Sequence, residues 1–157
     1  MMLKLFISFI VLFNLCLAHE GKKHPRVPIK PRAQSSDNFS DQKINEDYVK
    51  NIKPIFERAC FDCHSNKTVY PWYHKIPGIK HLIESDIKEG KKHLDMSLDF
   101  PFKSHTTPRE DLEAIENAIT NNTMPPQRYK MLHWNSKLSQ EEKDKIFEWI
   151  LFSLINL

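Results

Sequence analysis

At 157 residues, 40% of them hydrophobic and 27% charged, the chain has the size and make-up of one globular domain of ordinary dimensions. Three glycines against ten prolines leave too few tight-turn positions for a sheet-rich fold. A formal net charge of +3, with no dense Lys/Arg cluster interleaved with aromatics, gives no footprint for nucleic acid.

The chain opens on a segment expected to be a signal peptide. Met1 to Lys4 form a short cationic start, and Leu5 to Leu17 is an apolar run broken only by Ser8 and Asn14. Cys16-Leu17-Ala18 then places small residues where a signal peptidase reads, so residues 1–18 are expected to leave and the mature chain to start at His19. The apolar run covers 13 residues, short of the roughly 20 that span a bilayer, which disfavours a retained anchor, the competing reading. Lipid attachment at Cys16 is disfavoured by the bulky Leu15 before it. The expected location is the periplasm or another exported compartment, with loose membrane association still open. A free amine beside the His19 imidazole could chelate copper, but no other residue supports such a site.

Residues 19–40 are expected to be a linker. Pro25, Pro28 and Pro31 recur every third position without an apolar period, which suits an extended polyproline-like tether. From residue 41 to 157 the pattern is helical. Ile44, Tyr48, Ile52, Ile55 and Phe56 recur at helical spacing, and Pro54 must start a new helix or kink an old one. A short helix is expected from Pro54 into Cys63. A second runs from Gly78 to Glu89 with Ile79, Leu82, Ile83 and Ile87 on one face, and Gly90 stands where a helix stop belongs. Thr107-Pro108-Arg109-Glu110 joins a capping box to Pro at the first helical position, followed by the stripe Leu112, Ile115, Ala118, Ile119 and an end at Asn121-Asn122. Ser139 to Glu142 is another capping box, followed by Ile146, Phe147, Trp149, Ile150, Leu151 and Leu154. No alternating strand pattern of useful length is present. The expected class is all-α, with long loops over 65–77, 91–106 and 122–138. Four short helices make a thin core, and a large apolar cofactor at the centre would thicken it and give the loops something to wrap.

Once the signal segment is gone, Cys60 and Cys63 are the remaining cysteines, in a compartment where two idle thiols are unusual. Cys60-Phe61-Asp62-Cys63-His64 has the form of a c-type haem attachment motif. Residues three apart share a helix face, so both thiols can reach one porphyrin edge, and His64 can turn under the ring to bind iron. Three other uses compete. A redox pair would need a thioredoxin-like setting of strands, a zinc site would need two more ligands (His74 is a partial candidate), and a disulfide across four residues would be strained.

The iron then needs a sixth ligand or an open site. Met124, in Asn122-Thr123-Met124-Pro125-Pro126, has a thioether held by two rigid prolines and is the best placed, although a plain core-packing role is the competing reading. Met96, Met131, His93 and His133 are its rivals, Met96 first among them.

At this point the sequence resembles a family. Cys60-x-x-Cys63-His64-Ser65, Tyr70-Pro71-Trp72-Tyr73, and Met124-Pro125-Pro126 with Tyr129, His133 and Trp134 look like the small bacterial haem-binding domain of cytochrome c type, over residues 45–152. The resemblance implies one covalent haem c, a cytochrome c-like helical fold, and His64 with Met124 as axial ligands. Tyr70, Trp72 and Tyr73 follow the motif closely and are expected near the haem edge, as core aromatics that fix the loop ahead of a role for Trp72 as a donor to a propionate. The leading functional expectation is electron transfer with an unidentified redox partner, because His/Met ligation lets iron cycle with little rearrangement. Lys67, Lys75, Lys80, Lys91 and Lys92 could steer an acidic partner or be plain surface. A gas-binding sensor with a labile sixth ligand is the alternative, and a peroxidase, which needs a distal acid/base pair, ranks below both. An electron carrier is thus expected ahead of an enzyme.

Overall fold

The computed structural model describes residues 34–157, with side chains from Ser40 onward. The expectations for the signal segment and for His19 lie outside the described residues. The elements, in chain order, are α1 (Gln34–Asp47), a π-helical turn (Tyr48–Ile52), α2 (Lys53–Ala59), α3 (Phe61–His64), a 3-10 turn (Trp72–Lys75) and α4 (Ile79–His93). They continue with β1 (Leu94–Asp95), β2 (Lys103–Ser104), α5 (Pro108–Thr120), α6 (Gln127–Leu132), a second 3-10 turn (Trp134–Ser136) and α7 (Gln140–Asn156). The described residues are mainly helical, as expected, but two helix ends differ from the sequence reading, and the stretch expected as a loop over 122–138 holds α6.

The first helix begins at Gln34, so 34–40 are helical where the linker was expected to continue. Pro54, second residue of α2, has no N–H to give the turn before it. That turn is widened instead: the Lys53 N–H reaches back five residues to the Tyr48 carbonyl. The largest difference is at Gly90, which does not stop α4; the helix runs through it to His93. Helical periodicity cannot distinguish a glycine that ends a helix from one that lets a neighbour approach.

Both capping boxes are present. Thr107 Oγ1 accepts from the Glu110 N–H while the Glu110 carboxylate accepts from the Thr107 N–H at 3.0 Å. Ser139 and Glu142 do the same at the start of α7. Glu142 also takes the Arg58 guanidinium, whose other nitrogen donates to the Lys137 carbonyl at 3.2 Å. Burial pushes the Glu142 carboxyl upward, but the Ser139 N–H and the Arg58 charge outweigh it and hold the group below the ordinary carboxylate range.

The core lies between α1, α2, α5 and α7. Trp149 is its centre: its ring meets Tyr48 at 5.5 Å, Phe100 at 5.7 Å and Phe56 at 6.3 Å, and its indole N–H donates to the Ile44 carbonyl. Ile44, Ile52, Leu112, Ile119, Ile146 and Ile150 close around it. The stretch expected as a bare loop, 91–106, contributes Leu94, Met96, Phe100 and Phe102 to this core. It also holds the small antiparallel pair, Leu94 against Ser104 and Asp95 against Lys103, where no strand was expected. Two residues per strand are too few to show an alternating pattern. This side of the core is therefore filled by protein side chains.

Candidate functional site

Cys60 closes α2 and opens α3, its N–H held by the Phe56 carbonyl at 2.8 Å. The next turn is tight: the N–H groups of Cys63 and His64 both bond the Cys60 carbonyl, at 3.2 and 3.0 Å. Buried Ser65 caps the turn, its hydroxyl donating to the Phe61 carbonyl at 2.9 Å and accepting from the Lys67 N–H. Cys60 and Cys63 thus sit one turn apart and are not bonded to each other. Burial, with Cys63 nearby, pushes the Cys60 thiol up to about 12. Burial and the carboxylates of Asp62 and Asp86 push Cys63 up to about 11. Reactive redox cysteines have depressed values and electropositive surroundings, so these thiols do not suit a redox pair. No cluster of three or more His, Cys, Asp or Glu positioned to hold a metal ion exists among the described residues, and a structural zinc site has no geometry here.

His64 is oriented by the backbone of the following segment. Its Nδ1 meets the Leu94 carbonyl at 2.8 Å, and its own carbonyl accepts the Met96 N–H at 2.6 Å. Burial holds the imidazole below its ordinary value, so the ring is neutral with the proton on Nδ1 donated to Leu94. That leaves the Nε2 lone pair free for a metal, the arrangement in which a carbonyl fixes tautomer and ring direction for a ligating histidine. The short β1–β2 pair, which looked structurally trivial, sets where the Leu94 carbonyl lies.

Gly90 explains how α4 comes so close. A Cβ built on it would stand 2.7 Å from the Cys63 carbonyl oxygen and 3.3 Å from its carbonyl carbon. Only glycine allows the helix and the Cys60–His64 turn to touch there. A glycine inside an otherwise unbroken helical stripe is itself a signal of close approach.

A cleft beside Cys63 is lined by Asp62, Val69, Tyr73, Ile83, Ile87, Tyr129 and His133, among others. A polar chain crosses it. Tyr129 donates to Asp62 Oδ2 at 2.6 Å, and the Val69 N–H bonds the other carboxylate oxygen at 2.9 Å. Tyr129 and His133 stack with ring centres 4.0 Å apart, and His133 Nε2 stands 3.4 Å from the Tyr73 hydroxyl. Arg128 grips Asp86 of α4 through two bonds of 2.7 and 2.8 Å. Helix α6 is thereby tied to Asp62, between the two cysteines, and to α4. Asp62 and Asp86 had no part in the sequence reading; lone acids carry no spacing signal, and only the fold brings Tyr129 and Arg128 to them.

The other expected site residues are spread around this cleft. Tyr70 and Trp72 lie on the connection that leaves the motif, exposed; Tyr70 rests on the His74 ring at 4.2 Å and Trp72 meets Tyr73 edge-on at 5.6 Å. Neither lines the cleft. Met124, half exposed, lines a different cavity beyond α6 with Lys130, Lys137 and Lys143. Of its rivals, Met96 is buried in the core, Met131 is exposed, His93 lies against His105, and His133 alone faces the Cys63 cleft.

The apolar surface is where a large planar group fits. The stripe of α4 is not covered by protein: Ile79 and Leu82 are exposed, Ile83 and Ile87 half-buried, and no residue of the helix is buried. Val69 and Trp72 on the connection before α4, and Met124 and Trp134 on those flanking α6, are further exposed apolar side chains. A helix with one apolar stripe normally buries it. With two thiols one turn apart, a neutral histidine offering Nε2, and uncovered apolar surface, the residues fit a haem bound at this turn.

Comparison with known proteins agrees. The chain is 31% identical over 146 residues to the cytochrome c peroxidase Ccp of Escherichia coli strain K12, an alignment covering 92% of this chain and 29% of that protein. The chain therefore spans less than a third of the relative's length. No solved structure matches it. A family model described as the haem-binding domain matches residues 26–151, and the chain belongs to that haem-binding domain family.

Proposed function

We propose that this domain is an exported monohaem c-type cytochrome that carries electrons, with haem joined by thioethers to Cys60 and Cys63. His64 Nε2 would be one axial ligand and Met124 the other. The observation that carries the reading is the His64 ring, proton on Nδ1 and pinned by the Leu94 carbonyl, one residue beyond a pair of neutral thiols. Bound haem would supply an iron that exchanges one electron, at a potential raised by a thioether ligand.

The chain's own residues supply the rest. Cys60 and Cys63, on one turn, fix the position of the ring; Leu94 fixes His64; Gly90 keeps α4 against the turn. Ile79, Leu82, Ile83 and Ile87 offer the apolar wall, and Tyr70 and Trp72, exposed on the neighbouring connection, are free to close over the haem edge. Similarity to a peroxidase suits this role, since reducing peroxide consumes electrons that a haem module can deliver. The apolar run Leu5 to Leu17 and Ala18 support export.

The test is mass spectrometry on protein made in cells with haem-attachment machinery. One added haem is expected, lost in the Cys60→Ser/Cys63→Ser double variant, on a chain starting at His19. Unmodified thiols and no Soret absorbance would overturn the proposal. In the oxidised holoprotein a sulfur-to-iron charge-transfer band is expected, absent in Met124→Ala.

A second reading, a ligand-binding module with a labile sixth position, is favoured by one observation: Met124 is half exposed and does not line the Cys63 cleft. Rapid carbon monoxide binding by the unsubstituted reduced protein is its signature.

A further inference from the structure

The cavity beyond α6 has an unusual charge pattern. It holds about 200 Å³ and is lined by Lys130, Lys137 and Lys143 with Asn122, Gln127 and Met124, and no carboxylate. Among the described residues none of the three lysines has an acidic partner. Lys137 instead sits 5.2 Å over the Trp134 ring.

Lys130 is the sharpest anomaly. It is 6% exposed, and lysine is almost never buried without a pairing charge. Its ammonium has three donors, and one is used, on Asn122 Oδ1 at 2.9 Å. Burial, then the like charges of Lys143 and Lys137, hold it below the ordinary lysine value. Three cations gathered without an anion repel each other, and an oxyanion in their midst would set an attraction to each against those repulsions. A water takes about 30 Å³ of liquid, so the space holds several waters or a carboxylate group.

We infer that Lys130, Lys137 and Lys143 form an oxyanion site beside Met124, and that its occupant is a propionate carboxylate of the haem held at Cys60 and Cys63. The second half rests on the reading of Met124 as axial ligand. Met124 lines this cavity, so a haem whose iron took its sulfur would come close to it, and the porphyrin's own carboxylates would be the oxyanions nearest to hand. Lysines here would both orient the ring and, as positive charge close to the iron, favour its reduced state.

The experiment uses the holoprotein after haem attachment. Lys130→Met keeps the buried stem and removes the charge; Lys130→Arg keeps the charge; Lys137→Met/Lys143→Met alters the more accessible pair; Lys50→Met, an exposed lysine on the π-helical turn, is the control. In the resonance Raman spectrum the propionate bending band is expected to shift in Lys130→Met and in the double variant, to return in Lys130→Arg, and to stay put in Lys50→Met. The midpoint potential is expected to fall in the first two and hold in the others. An unmoved band in both lysine-to-methionine variants would overturn the inference. Inorganic phosphate titrated into unsubstituted holoprotein should leave the lysine side-chain NMR signals unmoved, because the site is filled. Phosphate-dependent shifts would show a site open to solvent oxyanions and overturn the propionate assignment. A missing sulfur-to-iron band in the unsubstituted oxidised protein would instead sink the Met124 ligation, with the Raman comparison still judging the lysines.

Discussion

At Gly90 two effects of opposite sign meet, and their sizes decide between them. Alanine in place of glycine inside a helix ordinarily gains about 1 kcal/mol. Here the new Cβ would stand 2.7 Å from the Cys63 backbone oxygen, which cannot swing aside as a flexible side chain could. The clash wins: Gly90→Ala is expected to lower stability by about 1–3 kcal/mol, the range for overpacking a tight site. It should also reduce the fraction of chains that acquire haem, because it displaces Cys63. Urea unfolding and the ratio of Soret to protein absorbance report the two effects. Unchanged stability with a normal haem yield would show that α4 and the turn are free to separate. His64 depends on the same neighbourhood, since Leu94 follows directly on the end of α4.

The helices are held by their ends as much as by their faces. Glu142 closes the α7 capping box and takes Arg58 of α2, so one carboxylate links two elements. Glu142→Gln is expected to cost about 1 kcal/mol, within the range for a lost cap or a charge-assisted bond. The pH dependence follows from the direction of the shift. The native carboxyl lies below its unfolded value, so its contribution is complete above the ordinary carboxylate range and disappears as pH falls through the native value. Unfolding curves of the two proteins should differ near neutral pH and converge on acidification; a gap that persists in acid would mean the charge is not what matters. Helix α4 behaves differently. Its C-terminal Lys91, Lys92 and His93 suit the helix dipole, yet its apolar stripe lacks a protein partner. Haem at that stripe would leave α4 firmer in the holoprotein than in the chain without it, which hydrogen exchange of α4 amides reads directly.

Across the whole molecule the load falls on one aromatic cluster. Trp149→Ala would remove a ring that meets Tyr48, Phe56, Phe100 and Phe102, and a loss of about 3–5 kcal/mol is expected. That is a large part of a small domain's stability of about 5–15 kcal/mol. Its neighbour gives the opposite forecast. Tyr48 is fully buried and its hydroxyl has no hydrogen-bond partner among the described residues. Tyr48→Phe deletes an unsatisfied group and keeps the ring, so stability should hold or rise by about 1 kcal/mol. Thermal melts of both variants check the pair; marked destabilisation by Tyr48→Phe would reveal a partner for that hydroxyl.

Much of this was legible in the linear order of residues. Capping boxes, helix stripes and the Cys60-x-x-Cys63-His64 spacing are local, acting over three or four positions, so they survive without a fold. Contacts made by distant segments were not legible. Phe100 and Phe102 lie in a stretch with no period, and only the turn back through β1 and β2 takes them into the core. Gly90 reads as a stop until the Cys63 carbonyl is seen beside it. Asp62 meets Tyr129 across 67 positions, and Lys130, buried without an acidic partner among the described residues, joins Lys137 and Lys143 at one cavity only in the folded chain. By itself the sequence determined most of the helices and the spacing of Cys60, Cys63 and His64, because both follow from near neighbours along the chain. The tertiary structure alone decided which carbonyl orients His64, which apolar face stays uncovered and which lysines converge, because each depends on where chain closure brings remote residues together.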